Sequence, residues 1–318
     1  MLTRRAYLKN SALVAAASAL PGGLLQAFET SELITRAIPG SGEKLPIVGL
    51  GSSATFRSLA NNDELAPLAE VFQALVDNGG TVFDTAPGYG SSEDVAGRIV
   101  KDLGIADQLF WATKLNVVRR GSSVGADMDA AKAQLDQSFD RIGKDPIDLI
   151  QVHNVADIDG QIPLLQEYKE EGRIRYIGAT STRPATYPIL ERAMREFDID
   201  FIGIDYAVDN RGAAEKMMPL AADLGVAVLG YVPFGRSRLF SRVGDRAVPE
   251  WAQEIGIDTW GKFFIKYAAS HPAITCVTPA TSKAKHMLDN IGAAYGELPD
   301  AAMRKKMEDL IDGLPQAS

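Results

Sequence analysis

Four side chains in the middle of this sequence belong to the types that move protons: Asp84, Tyr89, Lys114 and His153. Asp84 and Tyr89 share the stretch FDTAPGYGSSEDVAG, Lys114 lies in WATKL and His153 in IDLIQVHN. A carboxylate, a phenol, an ammonium and an imidazole brought together would form an acid–base set. Taken singly, each has a plainer account: a helix cap, a turn aromatic, a surface lysine, a core histidine. What sets them apart is position, since each falls at or just beyond the end of an apolar segment of strand character. His271 and His286 fit no strand end. With three histidines in all and Cys276 the one cysteine, a metal-dependent hydrolase is disfavoured and no metal site is expected.

The elements that must position these groups follow one pattern. Short strand candidates alternate with amphipathic stretches of helical period, as in successive parallel βαβ units. The candidates are PIVGLGS (46–52), TVFDTA (81–86), LFWATKL (109–115), IDLIQVH (147–153), IRYIGAT (174–180), FIGIDY (201–206), VAVLGYV (226–232) and ITCVTPA (274–280). Eight strands, each spaced for one helix, predict an α/β fold of the (β/α)8 TIM-barrel type, with reactive groups at the carboxyl ends of the strands. Ahead of them, LITRAIPGSGEKLP predicts an N-terminal β-hairpin covering the barrel floor. Extra helices are expected at VPEWAQEIG (248–256) and from about Asp300. A doubly wound sheet would need a glycine-rich turn after its first strand, and GLGSSATF does not contain GxGxxG.

The chain has 318 residues, 46% of them hydrophobic, enough for one large α/β domain or two ordinary ones. No linker interrupts it, so residues 28–318 are expected to form a single domain. The formal charge of -8 disfavours nucleic acid as a partner. Residues 1–27 hold Arg4, Arg5 and Lys9 and no acid, followed by the weakly apolar SALVAAASAL. This resembles a twin-arginine signal peptide and implies the Tat export machinery as a partner and the periplasm as destination, with cleavage after Ala19 or Ala27. No stretch reaches the roughly 20 apolar residues of a membrane span.

The three segments that carry Asp84, Tyr89, Lys114 and His153, in this order and spacing, resemble the signature segments of aldo/keto reductases, and the similarity covers roughly residues 45–295. The resemblance implies hydride transfer between a nicotinamide and an aldehyde, ketone or sugar. Reduction of a carbonyl leaves an alkoxide that must be protonated as it forms. Tyr89 is then the acid, Lys114 the ammonium that favours its phenolate, Asp84 the partner of Lys114, and His153 a donor to the carbonyl oxygen.

The same resemblance assigns a cofactor site. Tyr231 matches an aromatic that stacks on nicotinamide, Gly235, Arg236, Ser237 and Arg238 match a loop around the pyrophosphate, and Pro233 and Phe234 of the same segment are expected at the cofactor. Thr281, Ser282, Lys283 and His286 match positions near a 2'-phosphate, with Asn290 at the adenine. NADP (NADPH) is the cofactor implied, NAD the alternative. Two positions depart from the family pattern at the carboxamide: Thr180 and Ser181 stand where Ser-Asn is common, and Gly203 stands where Gln is common. Phe56 and Asn116 are expected in the substrate wall. Two rival readings are a low-turnover nicotinamide-binding sensor or regulatory subunit, and a phosphate-binding barrel isomerase or aldolase without nicotinamide.

Overall fold

The computed structural model describes residues 32–315, apart from 120 and 123. The signal peptide expected at 1–27 lies outside the described residues. A hairpin opens the fold, β1 (Thr35–Ala37) running antiparallel to β2 (Lys44–Pro46). Eight strands then pair in parallel and in sequence order: β3 (Leu50–Gly51), β4 (Val82–Asp84), β5 (Phe110–Leu115), β6 (Ile147–Val152), β7 (Ile174–Ser181), β8 (Phe201–Asp205), β9 (Ala227–Tyr231) and β10 (Cys276–Val277). The sheet closes on itself: Gly49 N–H donates to Val277 O (2.9 Å) and Gly51 N–H to Pro279 O (3.0 Å), alongside a parallel bridge from Gly51 to Ala280. This is the (β/α)8 barrel that the strand count predicts.

The connecting helices are α1 (Thr55–Asn61), α2 (Leu65–Val76), α3 (Ser92–Leu103), α4 (Met128–Ile142), α5 (Ile158–Glu170), α6 (Tyr187–Glu196), α7 (Met217–Asp223), α8 (Arg238–Val243), α9 (Glu250–Gln253), α10 (Trp260–Ala269), α11 (Ala284–Gly292) and α12 (Ala301–Asp312). Their apolar stripes turn inward. In α2, Leu68, Val71, Phe72 and Leu75 recur at three- and four-residue intervals and are all buried. α4 begins where the Asp127 carboxylate accepts from the amides of Asp129 and Ala130, and it ends at Gly143 in a left-handed conformation. Every residue of β5 and β6 is buried, as strands covered by helices on one face and barrel filling on the other require.

Two apolar layers result. The larger lies between helices and strands. The smaller fills the barrel with side chains such as Val82, Phe110, Leu149, Tyr176, Phe201 and Leu229, and takes Ile38 and Leu45 from the hairpin region. The hairpin therefore closes the amino-terminal end of the barrel with side chains. Its Glu43 carboxylate accepts from the Tyr176 hydroxyl (2.7 Å), and the opposite end remains for chemistry.

Candidate active site

The strand register sets the site. β4 and β5 carry Asp84 and Lys114 to the carboxyl-terminal ends of neighbouring strands, and the β5–β6 register places Lys114 beside Gln151. Lys114 Nζ donates to both carboxylate oxygens of Asp84 (2.8 Å each) and to Thr85 O (2.7 Å). Both partners are buried. A buried ammonium survives desolvation only with such company. Burial works to lower Lys114, but the charges of Asp84, Tyr89 and Glu93 outweigh it and hold the ammonium above the ordinary lysine value. Burial pushes the Asp84 carboxyl up, against the pull of Lys114 and of a Tyr231 hydrogen bond.

Tyr89 stands in the turn between β4 and α3, where its amide donates to Ala86 O (2.9 Å). Its ring centroid lies 5.3 Å from Lys114 Nζ, and its ring meets His153 edge-on at 5.9 Å. Lys114 thus reaches Tyr89 by charge through space, because its hydrogen bonds go to Asp84 and Thr85. His153 begins a 3-10 turn after β6, and the amide of the next residue, Asn154, donates to Thr180 Oγ1 (2.9 Å). Behind this set Glu93, buried on α3, accepts from Thr113 (2.6 Å), Ser138 (3.1 Å) and Arg141 (3.3 Å), tying α3 to α4 and β5. Glu93 lies in the same segment as Tyr89, and its phase with Ala96, Gly97 and Val100 sets it on the buried face of α3, a signal that the charge of its side chain hides.

The four groups share a cavity of about 530 Å³ whose wall also includes Thr180, Tyr231, Pro233, Phe234, Arg236 and Ser237. Of the eight non-glycine residues with positive φ among those described, five line it: Ala54, Asn154, Val232, Arg236 and Ser237. Strained backbone concentrated around a cavity marks a region shaped for a ligand. Gly235 takes φ 57° in the same loop, and a Cβ there would lie 2.5 Å from the Arg238 guanidinium carbon. Arg57 and Arg236 are exposed on the wall, and among the described residues neither has an ion-pair partner.

Several expected positions lie elsewhere. Phe56 is buried on the inward face of α1 against Phe72 and Phe83 (6.0 and 5.6 Å), so its neighbours Thr55 and Arg57 form the wall instead. Asn116 is absent from the wall: its amide donates to Gln134, and its side chain packs against Gly88 behind the Tyr89 turn. Ser181 turns away from the cavity, its hydroxyl engaged with Arg183 O and Thr186, because successive side chains of β7 point to opposite faces. Arg238 is held by Asp209 through two hydrogen bonds of 2.8 and 2.6 Å rather than turned to the cavity. Thr281, Ser282, Lys283, His286 and Asn290 lie outside the cavity wall. Thr281 Oγ1 accepts from the Lys283 amide (3.2 Å) at the start of α11, while Lys283 and His286 are exposed. Asn290 is buried, and its Nδ2 has no partner among the described residues. Among those residues no cluster of three or more His, Cys, Asp or Glu is placed to hold a metal, and no helix is long and apolar enough to cross a membrane.

Comparison with known proteins agrees with this architecture. Residues 48–309 match the model of the aldo/keto reductase family. The chain is 27% identical over 299 residues to aldo-keto reductase str7 of Strobilurus tenacellus, covering 83% of this chain and 87% of that one. It is also 27% identical over 230 residues to L-galactose dehydrogenase of Arabidopsis thaliana, covering 68% and 69%. Among solved structures, the holo form of aldo-keto reductase AKR11C1 from Bacillus halodurans superposes with a TM-score of 0.70 at 23% identity, covering 88% of this chain and 96% of that one. An aldo/keto reductase from Klebsiella pneumoniae in complex with NADP and acetate gives a TM-score of 0.66 at 19% identity, covering 86% and 93%. A closed (β/α)8 barrel with its open end at the carboxyl ends of the strands is shared by enzymes of many classes, and the family match selects among them. This chain belongs to the aldo/keto reductase family and is an NAD(P)-dependent oxidoreductase.

Proposed function

We propose that this protein is an NADP-dependent aldo/keto reductase that interconverts a carbonyl and an alcohol, with Tyr89 as general acid and base. The observation that carries the reading is the buried Lys114–Asp84 pair standing 5.3 Å from the Tyr89 ring in one cavity with His153. Bound nicotinamide supplies the hydride or takes it back. Tyr89 gives its proton to the substrate oxygen as negative charge develops there. Lys114 stabilises the phenolate left behind, and Asp84 keeps Lys114 charged where an isolated ammonium would lose its proton. His153 donates to the same oxygen and helps orient the carbonyl.

The residues present fit a dinucleotide. Arg236 and Ser237 in the left-handed loop after β9, with Gly235 at its turn, suit a pyrophosphate. Pro233, Phe234, Thr180 and the Tyr231 ring would border the nicotinamide end. Asn290, with its unsatisfied Nδ2, and Thr281, Ser282, Lys283 and His286 around the start of α11 would serve the adenosine end. NADP and NADPH accompany the Klebsiella pneumoniae relatives, which favours the phosphorylated cofactor.

Single-turnover oxidation of bound NADPH by a reactive aldehyde or quinone tests the reading. Tyr89→Phe is expected to slow it by about two to four orders of magnitude at unchanged cofactor affinity. An equal rate in the variant would remove Tyr89 as the acid, and a wild type that binds NADPH without turning it over would favour the sensor reading.

Arg4 and Arg5 support export to the periplasm by the twin-arginine route as a folded, cofactor-loaded protein. Replacing both with Lys should leave the protein in the cytoplasm on cell fractionation, and undiminished export of that variant would refute the route.

A further inference from the structure

Gly203 stands in β8, a strand interior where glycine weakens a sheet and needs a reason. The reason lies on the neighbouring strand, β9. A Cβ at position 203 would sit 2.2 Å from Tyr231 Cε2 and 2.7 Å from both its Cζ and its hydroxyl oxygen, so any side chain there must evict the ring. The phenol that occupies this space is buried. Its hydroxyl donates to Asp84 Oδ2 (3.1 Å) and accepts from Gln151 Nε2 (3.0 Å), which fixes its direction. Lys114 Nζ consequently lies between two aromatic rings, 5.3 Å from the centroid of Tyr89 and 5.4 Å from that of Tyr231.

We propose that Tyr231 is a positioning residue for the Asp84–Lys114 pair, admitted to the barrel interior because residue 203 is glycine. The inference rests on reading Asp84, Lys114 and Tyr89 as the proton-transfer set. A neutral O–H donor stabilises a buried carboxylate without adding a charge to the site. Burial and the charge of Asp84 hold the Tyr231 hydroxyl well above the ordinary phenol range, so it remains a donor across working pH. The titratable and charged groups facing Asp84 are Lys114 on β5, Tyr231 on β9 and the thiol of Cys276 on β10; Tyr89 on the turn after β4 and Glu93 on α3 act on Lys114, and His153 stands against Tyr89.

The sign of the effect follows. The Tyr231 hydrogen bond draws the Asp84 carboxyl down, so removing it lets Asp84 take up a proton at higher pH and deprives Lys114 of its counterion there. The test uses the full chain, with Tyr231→Phe, which keeps the ring, and Gly203→Ala, which displaces it. Two quantities are read: the pH profile of single-turnover NADPH oxidation, and the carbon-13 NMR titration of the Asp84 carboxyl. Both variants are expected to move the acid limb and the Asp84 midpoint upward by about half to one pH unit. A slower rate with both midpoints unmoved in Tyr231→Phe would assign Tyr231 to packing or cofactor contact alone and overturn the proposal. Should Gly203→Ala fail to fold, Tyr231→Phe decides by itself. Should wild type transfer no hydride, the proposed function fails, and the Asp84 titration still decides whether Tyr231 governs that carboxyl.

Discussion

The two halves of the barrel mouth are built on different principles. Strands β4 to β6 carry a compact charged set in which the buried charges are fixed by named partners: Asp84 by Lys114, Lys114 by Thr85 O, and Glu93 behind them by Thr113 and Ser138. Strands β7 to β9 and the loop beyond present backbone instead, with Val232, Arg236 and Ser237 in left-handed conformations and, in Arg236, an arginine that no acid holds among the described residues. A site that moves protons must be rigid before substrate arrives, whereas one that grips phosphates can leave its cations unpaired until the ligand supplies the partner.

The largest effect that would sharpen this contrast comes from Lys114→Met. It strands a buried carboxylate, and loss of about 3 to 5 kcal/mol in stability is expected, together with loss of hydride transfer. Denaturant unfolding checks the first part, and an unchanged midpoint would show that the charged half is not held by this pair. An intermediate effect separates two neighbouring arginines. Arg236→Ala should weaken NADPH binding about tenfold, while Arg238→Ala, whose guanidinium belongs to Asp209, should leave it within about twofold. Calorimetric titration decides, and equal losses would mean that both cations turn to the phosphates. The smallest effect is expected for Ser181→Ala, about 1 kcal/mol in stability from the turn it closes with Arg183 and Thr186, and no change in cofactor affinity. A clear loss of affinity would return Ser181 to the nicotinamide.

The same contrast governs what could be read from the sequence. The barrel was legible because strand and helix periods alternate eight times, and the charged half because its residues fall in contiguous segments at strand ends. Arg238 was less legible, because loop direction, not residue type, decides whether an arginine meets a phosphate or Asp209. Phe56 and Ser181 misled by phase: one residue along α1 or β7 turns a side chain from cavity to core. Tyr231 was recognised for its ring while the use of its hydroxyl went unseen, since Asp84 lies 147 positions away and Gly203 signalled only a missing side chain. The hairpin floor was visible from its turn, but its tie to Tyr176 needed the folded register.

The left-handed residues around the cavity carry a further meaning for the economy of the whole barrel. Val232 at φ 59° is β-branched, the kind of side chain least suited to that conformation, and such positions each raise the native energy by about 1 to 3 kcal/mol. The rest of the barrel must hold them in place, so the mouth is where thermal motion should first loosen the fold. Glycine at Ala54 or Val232 would relieve that tension and at the same time release the shape it maintains. Heat tolerance and catalytic fidelity are therefore expected to draw on opposite properties of the same few peptide units.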